Sequence, residues 1–300
     1  MTDDSLTLLI TPGHPGVAWR AAIEARAAQM GLPVSEIGPG EEADRRKGVI
    51  FTHQSAALAS PSGHRVVITD TTAVGMLDPS QPATGNELIV RAHSLVEADA
   101  AARQGAIVLN ASRYQLNLPL LGTVERPEGE RYHIHPLAAA SPLSIFDELP
   151  VRAGAQSVWA PHWFTYAPDA AGQASGPWID LTGRMRALLF GPYIRLPAGR
   201  WRVDVRVSVD PERAHVPLLF EWGSDAEFCR IVTEVRHPGS YGVSLDRIWT
   251  GAEAAQLRIW NAHPVFQGRL MFEDCRVVRV ADDDPTPPTP LDRIVTAEIL

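Results

Sequence analysis

Lysine and cysteine are nearly absent from this 300-residue chain. Lys47 is the single lysine among 27 basic residues, and the accompanying richness in alanine, glycine, proline and arginine indicates codon usage rather than special chemistry. The two cysteines, Cys229 and Cys275, are too few for a disulfide framework or a four-thiolate metal site. We expect both to act as small buried hydrophobic residues.

Long apolar runs and an excess of positive charge are missing as well. No run approaches the roughly 20 residues that cross a bilayer, and the first ten residues lack the basic region and apolar core of a secretory signal. The 35 acidic residues give a formal charge of −8, which argues against nucleic-acid binding because phosphate recognition needs a clustered basic face. The default expectation is a cytoplasmic protein without a membrane span or a nucleic-acid partner.

The two halves of the chain differ in composition, which predicts two domains. Trp19 is the only tryptophan of the first half, and seven others follow after residue 157. In residues 1–122, continuous apolar runs at 6–10, 48–52, 65–69 and 106–109 alternate with helical spacing at 17–30 and 86–104. This pattern is typical of buried parallel strands joined by helices. We predict a reduced, Rossmann-like α/β domain with a parallel sheet over 1–122.

Residues 123–156 lose this periodicity, because proline and glycine interrupt every candidate element, and we interpret them as a linker that packs on its neighbours. Residues 157–281 then show period two. In 200–209, tryptophan and valines alternate with arginine, aspartate and serine, as in a half-buried antiparallel strand. Eight or nine such strands predict an all-β jelly-roll sandwich. Residues 282–300 begin with three aspartates and contain four prolines, which indicates an extended, solvated tail.

Polar side chains follow three predicted strands of the first domain, where α/β proteins place ligands. They are the Thr11–Gly16 loop, the pair Thr52 and His53, and the pair Thr69 and Asp70. A nucleotide sugar could bind there, although no dinucleotide fingerprint or P-loop lysine is present. A tight turn is the favoured explanation of the loop, and helix capping by threonine or aspartate explains the two pairs equally well.

Candidates for catalysis and metal binding are weak. His133 and His135 could present two imidazoles on one strand face, but no third ligand is close in sequence. The carboxylates Glu221, Asp225, Glu227 and Glu234 could form a glycosidase pair, although surface carboxylates are common. No nucleophile motif is present. The sequence therefore predicts no cofactor and no catalytic residue, and it leaves a metal site open.

Aromatic residues carry the strongest functional signal. Sugar rings present apolar C–H faces that stack on tryptophan, while their hydroxyls need planar polar partners. Such a mixture occurs at two predicted strand ends and supplies the candidate carbohydrate-binding residues Glu221, Trp222, Arg258, Trp260, Asn261 and His263. Alternation puts Arg258 and Trp260 on one side of their strand and Asn261 on the other. Burial of these tryptophans in the sandwich core is the competing explanation.

Two motifs, GPWIDLTG at 176–183 and FGPYIRLPAGRWRV at 190–203, resemble the jelly-roll, carbohydrate-binding-like domains attached to bacterial surface-polysaccharide biosynthesis proteins and glycosyltransferases. The resemblance covers about 178–280. More loosely, the chain is similar to the capsule-binding head spikes of phage-like gene-transfer particles. The proline–glycine turn in the second motif has a structural reason, since it reverses the chain before a strand that begins with an inward tryptophan.

The leading hypothesis is a non-catalytic protein whose C-terminal jelly roll binds a capsule or exopolysaccharide. It would act in polysaccharide assembly or as a receptor-binding spike of a particle released from the cell. One alternative is a glycosyltransferase, or its accessory subunit, that uses a nucleotide sugar. Another is a structural interaction protein or homo-oligomer that buries the aromatic face against a partner.

Overall fold

The computed structural model describes residues 5–38, 40–41, 47–59, 63–72, 83–126, 141–167, 177–213, 215–281 and 298–299. The chain divides into two compact units, Met1–Val151 and Arg152–Leu300. The division falls inside the predicted linker. His133, His135 and the aspartate- and proline-rich segment 282–290 lie outside the described residues. Among the described helices, none is long and apolar enough to cross a membrane.

The first unit contains the predicted parallel sheet, in the strand order β2-β3-β1-β4-β5. Its strands are β1 (Ser5–Ile10), β2 (Val34–Ile37), β3 (Gly48–Thr52), β4 (His64–Thr69) and β5 (Ile107–Asn110). Helix α1 (His14–Gln29) follows β1, and α2 (Gly85–Arg103) connects β4 to β5. β2 was not predicted, because this four-residue edge strand contains Ser35 and Glu36 rather than an apolar run.

Apolar side chains cover both faces of the parallel sheet. Leu6 and Leu8 of β1 pack with Trp19 of α1 on one face, whereas Leu9 packs with Ala98 of α2 on the other. The fully buried Trp19 indole also donates a 2.8 Å hydrogen bond to the Ala111 carbonyl. Burial on both faces explains why the strand sequences are continuously apolar.

A small hairpin completes the first face and corrects the linker prediction. It consists of β6 (Gln115–Leu118) and β7 (Gly122–Glu125), whose inward leucines and valine join the α1 cluster. Residues 123–125 are therefore part of the first unit rather than a connection. At the other end of the segment, the Val151 amide donates to Asp99 Oδ1 at 2.6 Å, which fastens the chain to α2.

The second unit is a β-sandwich, as predicted. Its described strands are β8 (Gln156–Trp159), β9 (Thr165–Tyr166), β10 (Trp178–Asp180), β11 (Arg186–Leu196), β12 (Gly199–Asp210), β13 (Val216–Ser224), β14 (Glu227–Val235), β15 (Gly239–Trp249), β16 (Glu253–Asn261), β17 (Arg269–Arg279) and β18 (Glu298–Ile299). The antiparallel front sheet has the order β14-β13-β16-β11-β9. The antiparallel back sheet has the order β10-β17-β12-β15-β18, and β8 also pairs with β17.

Tryptophans join the two sheets. Trp222 of the front sheet lies 5.8 Å from Trp159 and 5.4 Å from Trp249 of the back sheet, measured between ring centroids, and all three are fully buried. Trp201 is also fully buried at the start of β12, which confirms the inward tryptophan expected after the turn. Gly199 precedes it with φ +133°, and a side chain there would collide with the Arg279 guanidinium.

The two cysteines differ in their surroundings. Cys275 is fully buried, and burial raises the pKa of its thiol well above the ordinary value. Cys229 on β14 is only half-buried, so the expectation of two buried cysteines is wrong for this position. Burial is also the main cause that raises the pKa of the Cys229 thiol, so both groups are protonated at neutral pH.

A buried ion pair fixes the end of β4 to α2. Arg91 and Asp70 are both almost completely buried and form a charge-assisted hydrogen bond. Arg91 also donates to the Thr72 carbonyl at 2.5 Å, and Asp70 accepts from the Thr72 amide at 3.0 Å. Removal of one member leaves a buried charge without its partner, which destabilises a protein far more than loss of a surface pair.

We therefore expect Arg91→Ala to lower the free energy of unfolding of the first unit by about 3–5 kcal/mol. Arg20→Ala is the matched control, since Arg20 pairs with Glu24 and Glu36 at the surface, and it should cost no more than about 1 kcal/mol. Urea titration of the full chain, followed by helical circular dichroism, measures both because the described α-helices lie in this unit. Equal losses for the two variants would contradict a structural role for the buried pair.

Candidate functional site

The solvent-facing side of the front sheet places side chains in cross-strand rows. Arg230, Glu221, Arg258 and Phe190 occupy opposite positions on β14, β13, β16 and β11. The next row contains Leu219 and Trp260, and the row on the other side contains Phe228. We call Arg230, Glu221, Arg258, Phe190, Trp260 and Phe228 the outer platform. Side chains on such a surface interact across and diagonally between strands.

Glu221 is the centre of the outer platform. Its Oε2 accepts a 2.8 Å hydrogen bond from the Trp260 indole, and its Oε1 accepts a 2.7 Å bond from Arg230 Nε. These neighbours cover the carboxylate, whose side chain is only 6 % exposed although it lies on the outward side of β13. Trp260 remains half-buried, and the Arg230 side chain is 59 % exposed. One carboxylate thus orients an indole and a guanidinium at the surface.

Arg258 is held by a second set of contacts. Its guanidinium carbon lies 4.1 Å from the centroid of the Phe228 ring, within the range of a cation–π interaction. Arg258 also donates to Gln256 Oε1 and to Asp225 Oδ1, each at 2.9 Å. Asp225 lies in the turn between β13 and β14, and it also accepts from Gln256 at 2.8 Å. These contacts hold the planar guanidinium of Arg258 over the Phe228 ring.

Tyr193 supplies a hydroxyl beside this arginine. Burial raises the pKa of its phenol, while the nearby Arg258 charge opposes the increase and Asp225 adds to it. The hydroxyl therefore stays protonated at neutral pH and can donate a hydrogen bond. Tyr193 lies at a register shift in the pairing of β11 with β16, between Pro192 and Ile194, and has a φ of +65°.

The structure separates the six predicted carbohydrate-binding residues. The alternation along β16 is confirmed, because Arg258 and Trp260 face outward with Glu221 of the neighbouring strand. Trp222 and Asn261 face the interior and are fully buried, so neither can contact a ligand on the outer platform. Asn261 donates to the Leu181 carbonyl at 2.6 Å, which is a structural contact. His263 is exposed in the segment after β16.

Arg230, Phe228 and Phe190 belong to the outer platform but were not predicted. Period two along β14 places Phe228 and Arg230 on one face, yet Cys229 and Ile231 make the other face apolar as well, so the sequence does not reveal which side is solvated. Asp225 was considered only as a possible glycosidase carboxylate. In the structure it binds Arg258 and Gln256, while Glu234 binds Arg236 and His215.

The strand-end groups of the first unit are occupied by internal contacts. Asp70 is bound by Arg91 and Thr72, and the Thr11 hydroxyl accepts from the Asp70 amide at 2.9 Å. The Thr52 hydroxyl accepts from the Gln54 amide at 3.1 Å. Asp70 and Thr52 therefore make turn contacts with residues two positions later, whereas the helix that follows β4 is capped by Thr84 rather than by the predicted Thr69 or Asp70. No cluster of three or more potential metal-ligating His, Cys, Asp or Glu side chains occurs within the described parts of the chain.

The outward side of the back sheet has a different chemistry. Arg206 pairs with Asp274, Arg269 with Asp210, and Arg276 with Asp204, in each case across strands. Trp178 lies at its β10 edge, with the Arg269 guanidinium carbon 4.8 Å from the ring centroid. Most of these charged groups therefore compensate one another along the sheet.

Trp222 and Trp260 should respond differently to truncation. We expect Trp222→Ala to lower the free energy of unfolding by about 3–5 kcal/mol, because it leaves a cavity between the sheets. Trp260→Ala removes a half-buried ring and one hydrogen bond and should cost no more than about 2 kcal/mol. Denaturant unfolding of the two variants checks this difference. A larger loss for Trp260→Ala would show that this residue belongs to the core.

No family model matches the sequence, and no curated protein matches it. Among solved structures, the chain is similar to TmCBM61, solved with β-1,4-galactotriose, at 15 % identity over 41 % of this chain and 88 % of that one, with a TM-score of 0.26. The CBM22-1 xylan-binding domain of Paenibacillus barcinonensis Xyn10C gives 13 % identity, coverage of 43 % and 99 %, and a TM-score of 0.30. Eiger TNF from S. frugiperda gives 13 % identity over 45 % of this chain and 99 % of that one, with a TM-score of 0.27.

Proposed function

We propose that the protein binds a polysaccharide, without catalysis, through the outer platform of the front sheet. The observation that carries the proposal is the half-buried Trp260 ring, whose indole N–H is locked on Glu221. A ring held in one orientation before the ligand arrives loses little conformational entropy on binding. Sugar rings present the apolar C–H faces that stack on such an aromatic surface.

Polar groups that suit sugar hydroxyls lie on the outer platform and beside its Arg258 side chain. Arg230 presents donors, Asp225 presents acceptors with a side chain that is 82 % exposed, and Tyr193 presents a protonated hydroxyl. Planar groups with fixed directions distinguish one hydroxyl arrangement from another. The outer platform thus combines a stacking surface with oriented hydrogen-bonding groups, which is the mixture that saccharides require.

The front sheet is favoured over the back sheet by how its charges are used. On the back sheet, Arg206 gives both Nε and a terminal nitrogen to Asp274, and Arg269 does the same with Asp210. A ligand there must compete with these pairs. On the front sheet, the carboxylate of Glu221 is engaged beneath the surface, while Trp260 and Arg230 stay accessible.

The proposed biological settings are assembly of a capsule or exopolysaccharide and attachment of a phage-like particle to such a glycan. Both require recognition of a repeating polymer rather than a reaction on it. To bind at the strand ends of the Rossmann-like first unit, a nucleotide sugar would have to displace the internal contacts of Asp70 and Thr52. The described strand ends therefore favour binding by the sandwich.

We expect Trp260→Ala to weaken polysaccharide affinity by about fivefold or more, which corresponds to the roughly 1 kcal/mol of one aromatic contact. Trp178→Ala is the matched control, because Trp178 is also half-buried beside an arginine, but on the back sheet. It should leave affinity unchanged. A glycan array of bacterial capsular and exopolysaccharides selects the ligand, and isothermal titration calorimetry compares the variants.

Two results would overturn the proposal. One is a folded wild-type protein that binds no polysaccharide on the array. The other is an affinity that falls with Trp178→Ala but not with Trp260→Ala, which would move the site to the back sheet. Melting temperatures of both variants, measured in parallel, separate loss of the site from loss of the fold.

A further inference from the structure

Arg230 meets its carboxylate through a single nitrogen, unlike several other surface arginines. Arg206, Arg269 and Arg236 each direct both Nε and a terminal nitrogen at their acidic partner. Arg230 gives Glu221 only its Nε. The other oxygen of Glu221 accepts the Trp260 indole N–H. Glu221 therefore holds Arg230 through Nε alone and holds Trp260 through its indole nitrogen.

As a result, the Arg230 guanidinium is held by Glu221 through Nε, and its two terminal nitrogens can donate to a ligand. Within the described residues, no hydrogen bond is formed by the two terminal nitrogens of Arg230, and its side chain is 59 % exposed. The Nε contact fixes the plane of the group. Its remaining N–H donors form a fork that matches the two oxygens of a carboxylate.

We propose that the polysaccharide bound by the outer platform is acidic, and that Arg230 binds the carboxylate of a uronic acid residue. This inference rests on the proposed function and adds the chemical class of the ligand. Trp260 and Arg230 share one carboxylate, so a sugar stacked on the indole brings its neighbouring substituents to the guanidinium. The engaged Glu221 does not repel the ligand strongly, because Arg230 and the indole N–H compensate its charge.

Specificity follows from the geometry of Arg230. A neutral sugar offers hydroxyl groups, which accept single hydrogen bonds from the fork. A uronate offers two coplanar oxygens and a full charge, and charge-assisted, paired hydrogen bonds are roughly twice as strong as neutral ones. The preference for acidic polymers should therefore depend on Arg230, whereas stacking on Trp260 contributes to acidic and neutral polymers alike.

The test compares polymers that differ only in the carboxylate. Polygalacturonate, alginate and glucuronoxylan are each measured beside their carboxyl-reduced forms, in which the acid has become a hydroxymethyl group. Wild-type protein should bind at least one acidic polymer about tenfold or more tightly than its reduced counterpart. Arg230→Gln should remove that preference. Arg230→Lys keeps the charge without the fork and should retain only part of it.

Arg206→Gln is the matched control, since Arg206 is similarly exposed but directs both Nε and a terminal nitrogen at Asp274 on the back sheet. It should leave the preference intact. The comparison of polymers with wild-type protein does not depend on the folding of any variant. Melting temperatures confirm that the variants are folded.

The outcomes separate this inference from the proposed function. Equal binding of acidic and reduced polymers, or binding of neutral polymers only, overturns the uronate inference while a loss with Trp260→Ala upholds polysaccharide binding. A preference that survives Arg230→Gln overturns the role of Arg230. Failure of folded protein to bind any acidic, reduced or neutral polymer overturns both.

Discussion

Glu221 lies between β14 and β16 on the front sheet, where its carboxylate accepts hydrogen bonds from a neighbouring strand on either side. This position decides the properties of the surface around it. The carboxylate is almost fully covered, which is tolerable only because both oxygens have donors. The same contacts fix the Trp260 ring and the Arg230 plane, so the orientation of these two groups depends on one buried acid.

Tryptophan has two roles in this sandwich, and the side of the strand selects between them. Trp222 points inward and packs between Trp159 and Trp249, where its large apolar area holds the sheets together. Trp260 points outward, and its polar edge is satisfied by Glu221. The two residues lie on adjacent strands in the same sheet. Their chemistry is identical, and only the alternation of the strand makes one structural and the other available to a ligand.

Local periodicity predicted much of the fold, because burial acts on each strand separately. It identified four of the five described parallel strands, both long helices and the inward residues of β12 and β16. The short β2 and the β6–β7 hairpin were missed, since four-residue elements give too little periodic signal. The grouping of Arg230 with Glu221 and Trp260 could not be predicted either. It depends on which strands are neighbours and in what register, and β13 and β16 are separated by β14 and β15 in sequence.

Two buried acids, Asp70 and Glu221, are paired in different ways. In the first unit, Asp70 is buried with Arg91 at the end of a strand, and the pair is almost completely removed from solvent. The charged groups of Asp70 and Arg91 therefore both serve the structure of the unit. On the front sheet, Glu221 is buried while its partner Arg230 remains exposed, so only one side of the pair is committed. A covered acid beneath an exposed arginine holds the guanidinium in place without occupying its outward donors, and the proposed binding of an anionic ligand rests on this arrangement.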